Sequence, residues 1–154
     1  MQPPAEDLAE QLRDRGLRAT TTRVAVLRAV GELSGHPDTD TIASRVRDTL
    51  GTISTQAVYD GLHAMTRVGL LRRIEPAGSP ARYETRVGDN HHHVVCRSCG
   101  AAHDIDCAVG AAPCLTPSDD AAGFVIDEAE VTFWGLCPAC QAASASVSGS
   151  AAAR

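Results

Sequence analysis

Two CxxC pairs, Cys96-Arg97-Ser98-Cys99 and Cys137-Pro138-Ala139-Cys140, constrain this 154-residue chain more than any other feature. A CxxC turn holds two thiolates at the separation that lets them share one tetrahedral ion, and two such turns complete a zinc site. The 37 residues between the pairs exceed the loop of a zinc ribbon. A whole folded segment must therefore leave the first pair and return to the second. Cys96, Cys99, Cys137 and Cys140 are read as a closed, structural Zn(II) site whose metal binding supplies folding energy. The competing reading is a pair of unrelated redox CxxC motifs. The opening residues, MQPPAEDLAEQL, lack the basic and apolar regions of a secretory leader. No apolar run approaches the ~20 residues of a membrane span. The expected location is the cytoplasm, where cysteines serve as ligands or free thiols rather than as disulfides.

A second donor cluster abuts the first. His91, His92 and His93 stand three residues ahead of Cys96. Alternate residues of a strand point the same way, so His91 and His93 can converge on one ion while His92 faces the opposite side. Such an ion needs carboxylates as well, and Glu84 and Asp104 are the nearest candidates. A mixed nitrogen and oxygen shell suits Fe(II), Mn(II) or Zn(II), whereas the softer thiolate site takes zinc. His36, next to Pro37, reads on its own as a loop or cap histidine. Cys107 and Cys114 break the CxxC spacing; they are ordinary thiols or a redox-reactive pair.

The remaining sequence divides in two. Residues 1–87 hold 12 Arg and 11 Asp or Glu, whereas residues 88–154 hold 2 Arg and 8 Asp or Glu. The net charge of −5 argues against a nucleic-acid partner for the whole chain but not for the near-neutral first half. Apolar residues at helical spacing predict helices over residues 5–15, 20–33, 38–50 and 54–67, with threonines, Asp38 and Ser54 as N-caps. Strand-like runs follow at 70–74 and 81–86, separated by a Pro/Gly turn cluster. Helices followed by a β-hairpin are the order of a winged helix-turn-helix. The second half predicts strands at 93–96, 101–105 and 123–135, with 107–123 irregular or briefly helical. The expectation is an α+β chain: a winged-helix DNA-binding domain over 1–87, a small α/β metal-binding dimerisation domain with an antiparallel sheet over 88–140, and a disordered tail over 141–154. Gly61, in the middle of the fourth helix, has no explanation in the sequence.

The fourth helix turns Thr55, Gln56, Tyr59, His63 and Arg67 away from its apolar stripe. Hydroxyl, amide and aromatic groups in the first turns suit base-edge and phosphate contacts by a recognition helix. Arg72 and Arg73 on the hairpin are candidates for phosphate.

Taken together, these motifs resemble the ferric uptake regulator (Fur) family over almost the whole chain. The resemblance rests on Arg18-Ala-Thr-Thr-Thr-Arg23, Gly35-His36-Pro37, Ser54-Thr-Gln-Ala-Val-Tyr59, Arg82-Tyr-Glu84, His91-His-His-Val-Val-Cys96-Arg-Ser-Cys99-Gly100 and Gly135-Leu-Cys137-Pro-Ala-Cys140. The stretches around Asn90 and from Asp106 to Thr116 look like the actinobacterial branch that accompanies catalase or catalase-peroxidase genes. The resemblance implies a homodimer on a palindromic double-stranded operator. It implies a regulatory Fe(II) or Mn(II) held by His36, Glu84, His91, His93 and Asp104, a structural zinc on the four CxxC cysteines, and Tyr59 as the recognition-helix tyrosine. The family's usual proline in the first motif is replaced here by Thr21 or Thr22. An additional family metal site uses histidine where Ala129 stands, and Asn90 replaces a second of its ligands; His92 remains, and that site is expected to be absent or weak. For this branch the implied signal is hydrogen peroxide, which reacts at bound Fe(II) so that oxygen adds to His91 or His93. Peroxide sensors carry Asp where Glu84 stands, whereas iron sensors carry Glu, so an iron-responsive repressor of uptake genes is the alternative. A metalloenzyme using the histidine cluster is a reading of a different class, but no HExxH or comparable motif is present. A zinc-stabilised interaction module would leave the helix-and-wing half unexplained.

Overall fold

The computed structural model describes residues 4–117 and 121–150. The chain forms two compact units, Met1–Gly88 and Asp89–Arg154. In the first, α1 (Ala5–Asp14), α2 (Thr21–Glu32), α3 (Thr39–Leu50) and α4 (Thr55–Arg67) precede a hairpin of β1 (Arg72–Ile74) and β2 (Arg82–Glu84). Local chemistry sets the helix starts. Thr20, Asp38 and Ser54 accept hydrogen bonds from the backbone N–H groups of Arg23, Thr41 and Ala57 at 3.3, 2.8 and 3.1 Å, satisfying donors that a helix leaves open in its first turn. Gly51 ends α3 at φ 76°, a left-handed conformation that glycine adopts without a Cβ clash.

Spacing then decides what is buried. Leu12, Val26, Ile42, Val46, Val58, Leu62 and Met65 form an aliphatic core contributed by all four helices, and Leu71 and Tyr83 dock the hairpin on it. Gly61 lies where α4 crosses α2; a Cβ there would stand 3.6 Å from the Val26 side chain, within ordinary van der Waals contact. The hairpin pairs Arg72 with Glu84 and Arg73 with Tyr83.

The second unit is built on a three-stranded sheet of order β4-β3-β5, comprising β3 (His91–Cys96), β4 (Ala102–Asp106) and β5 (Thr132–Gly135). The antiparallel expectation holds for β3 with β4. It fails for β5, which runs parallel to β3, so the sheet is mixed. The long connection from 107 to 131 carries the chain back to start β5 in the direction of β3, which a short hairpin cannot do. The strand predicted over 123–135 is also shorter than expected. Pairing with β3 begins where His93 meets Thr132, and the alternating residues before it have no ladder among the described residues. Among its described residues, the irregular stretch holds a short turn of 3-10 type, Ala121–Gly123, in which Ala122 adopts φ 52°.

The tail needs a second correction. Residues predicted to be disordered from 141 onward continue α5 (Pro138–Ser150). The segment has no apolar period, but it is rich in alanine, the strongest helix former, and it extends a turn already begun at the second CxxC. Gln141 anchors that turn, donating its backbone N–H to the Cys137 carbonyl at 2.9 Å and its side-chain amide to the Leu136 carbonyl at 2.7 Å. Residues 151–154 lie outside the described residues. No helix among the described residues is long and apolar enough to cross a membrane.

Candidate metal centres and nucleic-acid face

The four CxxC cysteines converge in the second unit. Their sulfurs all lie within 4.8 Å of one another, and Cys99 Sγ stands 3.7 Å from Cys137 Sγ. Zn–S bonds of about 2.3 Å in a tetrahedron set sulfurs about 3.8 Å apart, so the thiol set is close to the size that zinc requires. The parallel pairing of Cys96 with Gly135 brings the two turns together across the sheet end. Backbone N–H groups of Cys99 and Cys137 point at Cys96, hold its thiolate and lower its pKa to about 6. The Cys137 N–H reaches Cys96 Sγ at 3.3 Å. Cys140 moves the other way, to about 11: a hydrogen bond from Ser98 opposes the rise, and the neighbouring thiols of Cys137 and Cys99 outweigh it. Four sulfurs this close cannot all carry charge without a cation among them.

Alternation along β3 separates the histidines as expected. His91 and His93 are buried on one face with ring centroids 5.0 Å apart. The β3–β4 register sets Asp104 opposite His93. One Asp104 carboxylate oxygen lies 3.8 Å from His91 Nε2 and 3.6 Å from His93 Nε2. Two imidazoles and one carboxylate converging with open positions are the donor set of a non-haem Fe(II) site, and Mn(II) accepts the same nitrogen and oxygen ligands. Asp89 takes part in a way the sequence reading missed. Its carboxylate lies 2.7 Å from His91 Nδ1. With the proton on Nδ1, His91 donates to Asp89 and leaves the Nε2 lone pair on the side of Asp104, where a cation could take both. The available signal was an acid two residues before His91, on the same face of an extended chain.

His36 and Glu84 meet in the first unit. His36 Nε2 is 2.9 Å from a Glu84 carboxylate oxygen, and both side chains are buried. Tyr83 donates its backbone N–H to the Pro37 carbonyl at 3.0 Å, pinning the Gly35-His36-Pro37 turn against β2. His36 adopts φ 60° there. For a residue with a Cβ this conformation costs roughly 1–2 kcal/mol, which the surrounding contacts must hold in place.

The residues expected on the DNA face differ in their exposure. Gln56, Tyr59, His63 and Arg67 are exposed along one side of α4, and Tyr59 retains 48% of its surface. Gln56 donates to Asp60 at 2.8 Å, and half-buried Thr55 accepts from Arg47 at 3.1 Å. Arg72 is different. Its guanidinium lies 3.9 Å from Glu84 and is largely covered, so it faces the carboxylate rather than solvent. Arg73 is the more exposed of the two and pairs with Glu75 at 2.8 Å. The sequence could not separate them, because facing in a three-residue strand turns on a one-residue register.

A winged-helix unit followed by a small mixed-sheet unit carrying a tetrathiolate and a histidine–carboxylate cluster defines a metal-binding, DNA-directed regulator. The chain belongs to the ferric uptake regulator family: the model of that family matches residues 14–110. It is 63% identical over 134 residues to the transcriptional regulator FurA of Mycobacterium tuberculosis, covering 87% of this chain and 90% of the relative. It is 58% identical over 139 residues to ferric uptake regulation protein 2 of Mycolicibacterium fortuitum, covering 89% and 94%. The solved ferric uptake regulator of Helicobacter pylori shares the fold at a TM-score of 0.69 and 19% identity, with 90% of this chain and 95% of that chain covered. The chain is accordingly a transcriptional regulator of this family and not an enzyme.

Proposed function

We propose that the protein is a metal-dependent repressor that senses hydrogen peroxide and controls catalase-type antioxidant genes from the cytoplasm. The observation that carries the reading is the Asp104 carboxylate facing both His91 Nε2 and His93 Nε2. The family's ligand set adds His36 and Glu84 from the first unit. A ligand set drawn from both units lets metal occupancy select one orientation of the recognition helices, and the switch is as strong as the difference in DNA affinity between the two conformers. Phe124, Val125 and Ile126 form an exposed run with strand propensity, with Val125 95% exposed, and they support docking of a second copy as a homodimer. A two-fold dimer reads a palindrome through two α4 helices in adjacent major grooves. Thr55, Gln56, Tyr59, His63 and Arg67 would supply the base and phosphate contacts, with Arg72 buttressing Glu84.

A bound Fe(II) would supply the one-electron chemistry that activates peroxide, while the net two electrons that reduce it to water come from the oxidised ligand. His91 and His93 are the side chains positioned to be oxidised: a ring C–H bond is replaced by C–O, the second peroxide oxygen leaves as water, and the remaining ring nitrogens become poorer metal donors. Asp89 holds the His91 ring in place, and burial limits access of larger oxidants. Glu84 favours the second reading, an iron-responsive repressor of uptake genes, because the family's iron sensors carry Glu at that position.

One experiment separates the two. The zinc-containing protein is loaded anaerobically with Fe(II), treated with hydrogen peroxide and digested with trypsin. Oxygen on the tryptic peptide spanning residues 87–97, localised to His91 or His93 and accompanied by release from DNA, supports peroxide sensing. Iron-dependent DNA binding without histidine oxidation supports the iron sensor. Tyr59→Ala tests the DNA face: operator binding should fall while metal content stays constant.

A further inference from the structure

Once the two expected centres are assigned, one donor cluster in the second unit remains. We propose that His92, Cys107 and Cys114 form a further metal site, built for a thiophilic divalent ion such as zinc. Their donor atoms lie within 4.8 Å of one another, and His92 Nε2 is 3.1 Å from Cys114 Sγ.

The strand geometry explains the convergence. His92 points to the opposite face of β3 from His91 and His93, so it cannot join their ligand set. Its register partner on β4 is Ile105. Cys107, two residues beyond Ile105, continues on the face of His92. Asn90, two residues before His92, donates its side-chain amide to the Ala111 carbonyl at 2.9 Å. That bond folds the loop after Cys107 back over the sheet and delivers Cys114 to the same place. His92 is 6% exposed, its ring rests edge-on against Phe133, and its Nδ1 is buried with no hydrogen-bond partner among the described residues. The other ring nitrogen is the one directed at sulfur.

The donor chemistry selects the ion. Two thiolates and an imidazole leave one open position and favour zinc over Fe(II) or Mn(II). The Gly110 backbone N–H lowers the pKa of Cys107, whereas burial, together with the adjacent Cys107, raises that of Cys114. Two sulfurs that resist sharing negative charge are stabilised together by a dication. His92 also occupies a position of the family's additional nitrogen and oxygen site, but two other positions of that site are Asn90 and Ala129 here, so Cys107 and Cys114 would supply a different, sulfur-rich donor set. The site would clip the loop between residues 107 and 114 to β3.

Cobalt(II) is the probe. Full-length protein carrying zinc on its CxxC cysteines is titrated anaerobically, under reductant, with Co(II). The histidine–carboxylate centre has no sulfur ligand, so a sulfur-to-cobalt charge-transfer band reports thiolate ligation alone. Zinc content is measured alongside to show that the CxxC site has not exchanged. The expected result is one thiolate-ligated cobalt per chain with zinc retained. The band should be lost in Cys107→Ser and Cys114→Ser and weakened in His92→Ala, with zinc content and circular dichroism unchanged in all three. No thiolate band in the zinc-retaining protein overturns the proposal, because His92 and Cys114 are then only a thiol–imidazole hydrogen bond. An undiminished band in both serine variants also overturns it.

Discussion

Removing the CxxC zinc should unfold the second unit and leave the first intact. The structure supplies the reason. The buried aliphatic cluster lies wholly in the first unit. Among the described residues of the second unit, the buried apolar side chains are Val95, Ala102 and the ligand Cys96. Burying a valine contributes about 1.5–3 kcal/mol. Structural zinc in a small domain contributes an apparent 10–16 kcal/mol or so at neutral pH. The metal term is thus several times the largest apolar term the second unit has. Its loss should open the β3–β5 pairing first, because that parallel pairing ends at Cys96 and Gly135, beside both CxxC turns. Hydrogen exchange read by mass spectrometry, before and after chelation, is the direct assay. Peptides from β3, β4 and β5 should lose protection, and those from α2, α3 and α4 should keep it. Unchanged protection in the three strands after confirmed zinc loss would show that zinc does not hold the second unit together. Simultaneous loss in the helices would show that the first unit does not stand on its own core.

Three further outcomes follow from single contacts. Asp89→Asn removes the carboxylate that fixes the His91 ring and should weaken Mn(II) affinity about 10- to 100-fold without altering zinc content, as measured by isothermal titration. Gly61→Ala should be tolerated or should stabilise the first unit by up to about 1 kcal/mol, since the new methyl meets Val26 at contact distance and glycine is a poor helix former; thermal melts check this. Asp38→Ala should cost about 0.5–2 kcal/mol at neutral pH through loss of the α3 cap. The hydrogen bond with Thr41 lowers the Asp38 pKa below 3.8, so this contribution is complete above that value and fades as pH falls through the folded pKa. Denaturant titrations of the two proteins should converge in acid.

Much of this architecture was legible in the chain because local chemistry set it. Asp38, Ser54 and the threonine run at 20–22 announced three helix starts, and the period-2 rule alone separated His92 from His91 and His93. What escaped depended on residues distant in sequence. Alternation over 123–135 reads the same whether or not a partner strand is present, so the true start of β5 at Thr132 was not visible. Arg72 and Arg73 differ only by strand register. The helix through residues 141–150 carries no apolar period, and its alanines are as compatible with a loose tail as with α5. The approach of Cys114 to His92 depends on a loop closed by Asn90 and Ala111, a contact that no spacing encodes.

The proposed repressor makes DNA recognition depend on metal occupancy. This dependence is tested most directly by selecting bound duplexes from a random pool with zinc-loaded protein, in the presence and absence of Mn(II), alongside His93→Ala. The expected result is a palindrome enriched only with Mn(II), and no enrichment by His93→Ala under either condition. Equal enrichment with and without Mn(II), or by the variant, would contradict it.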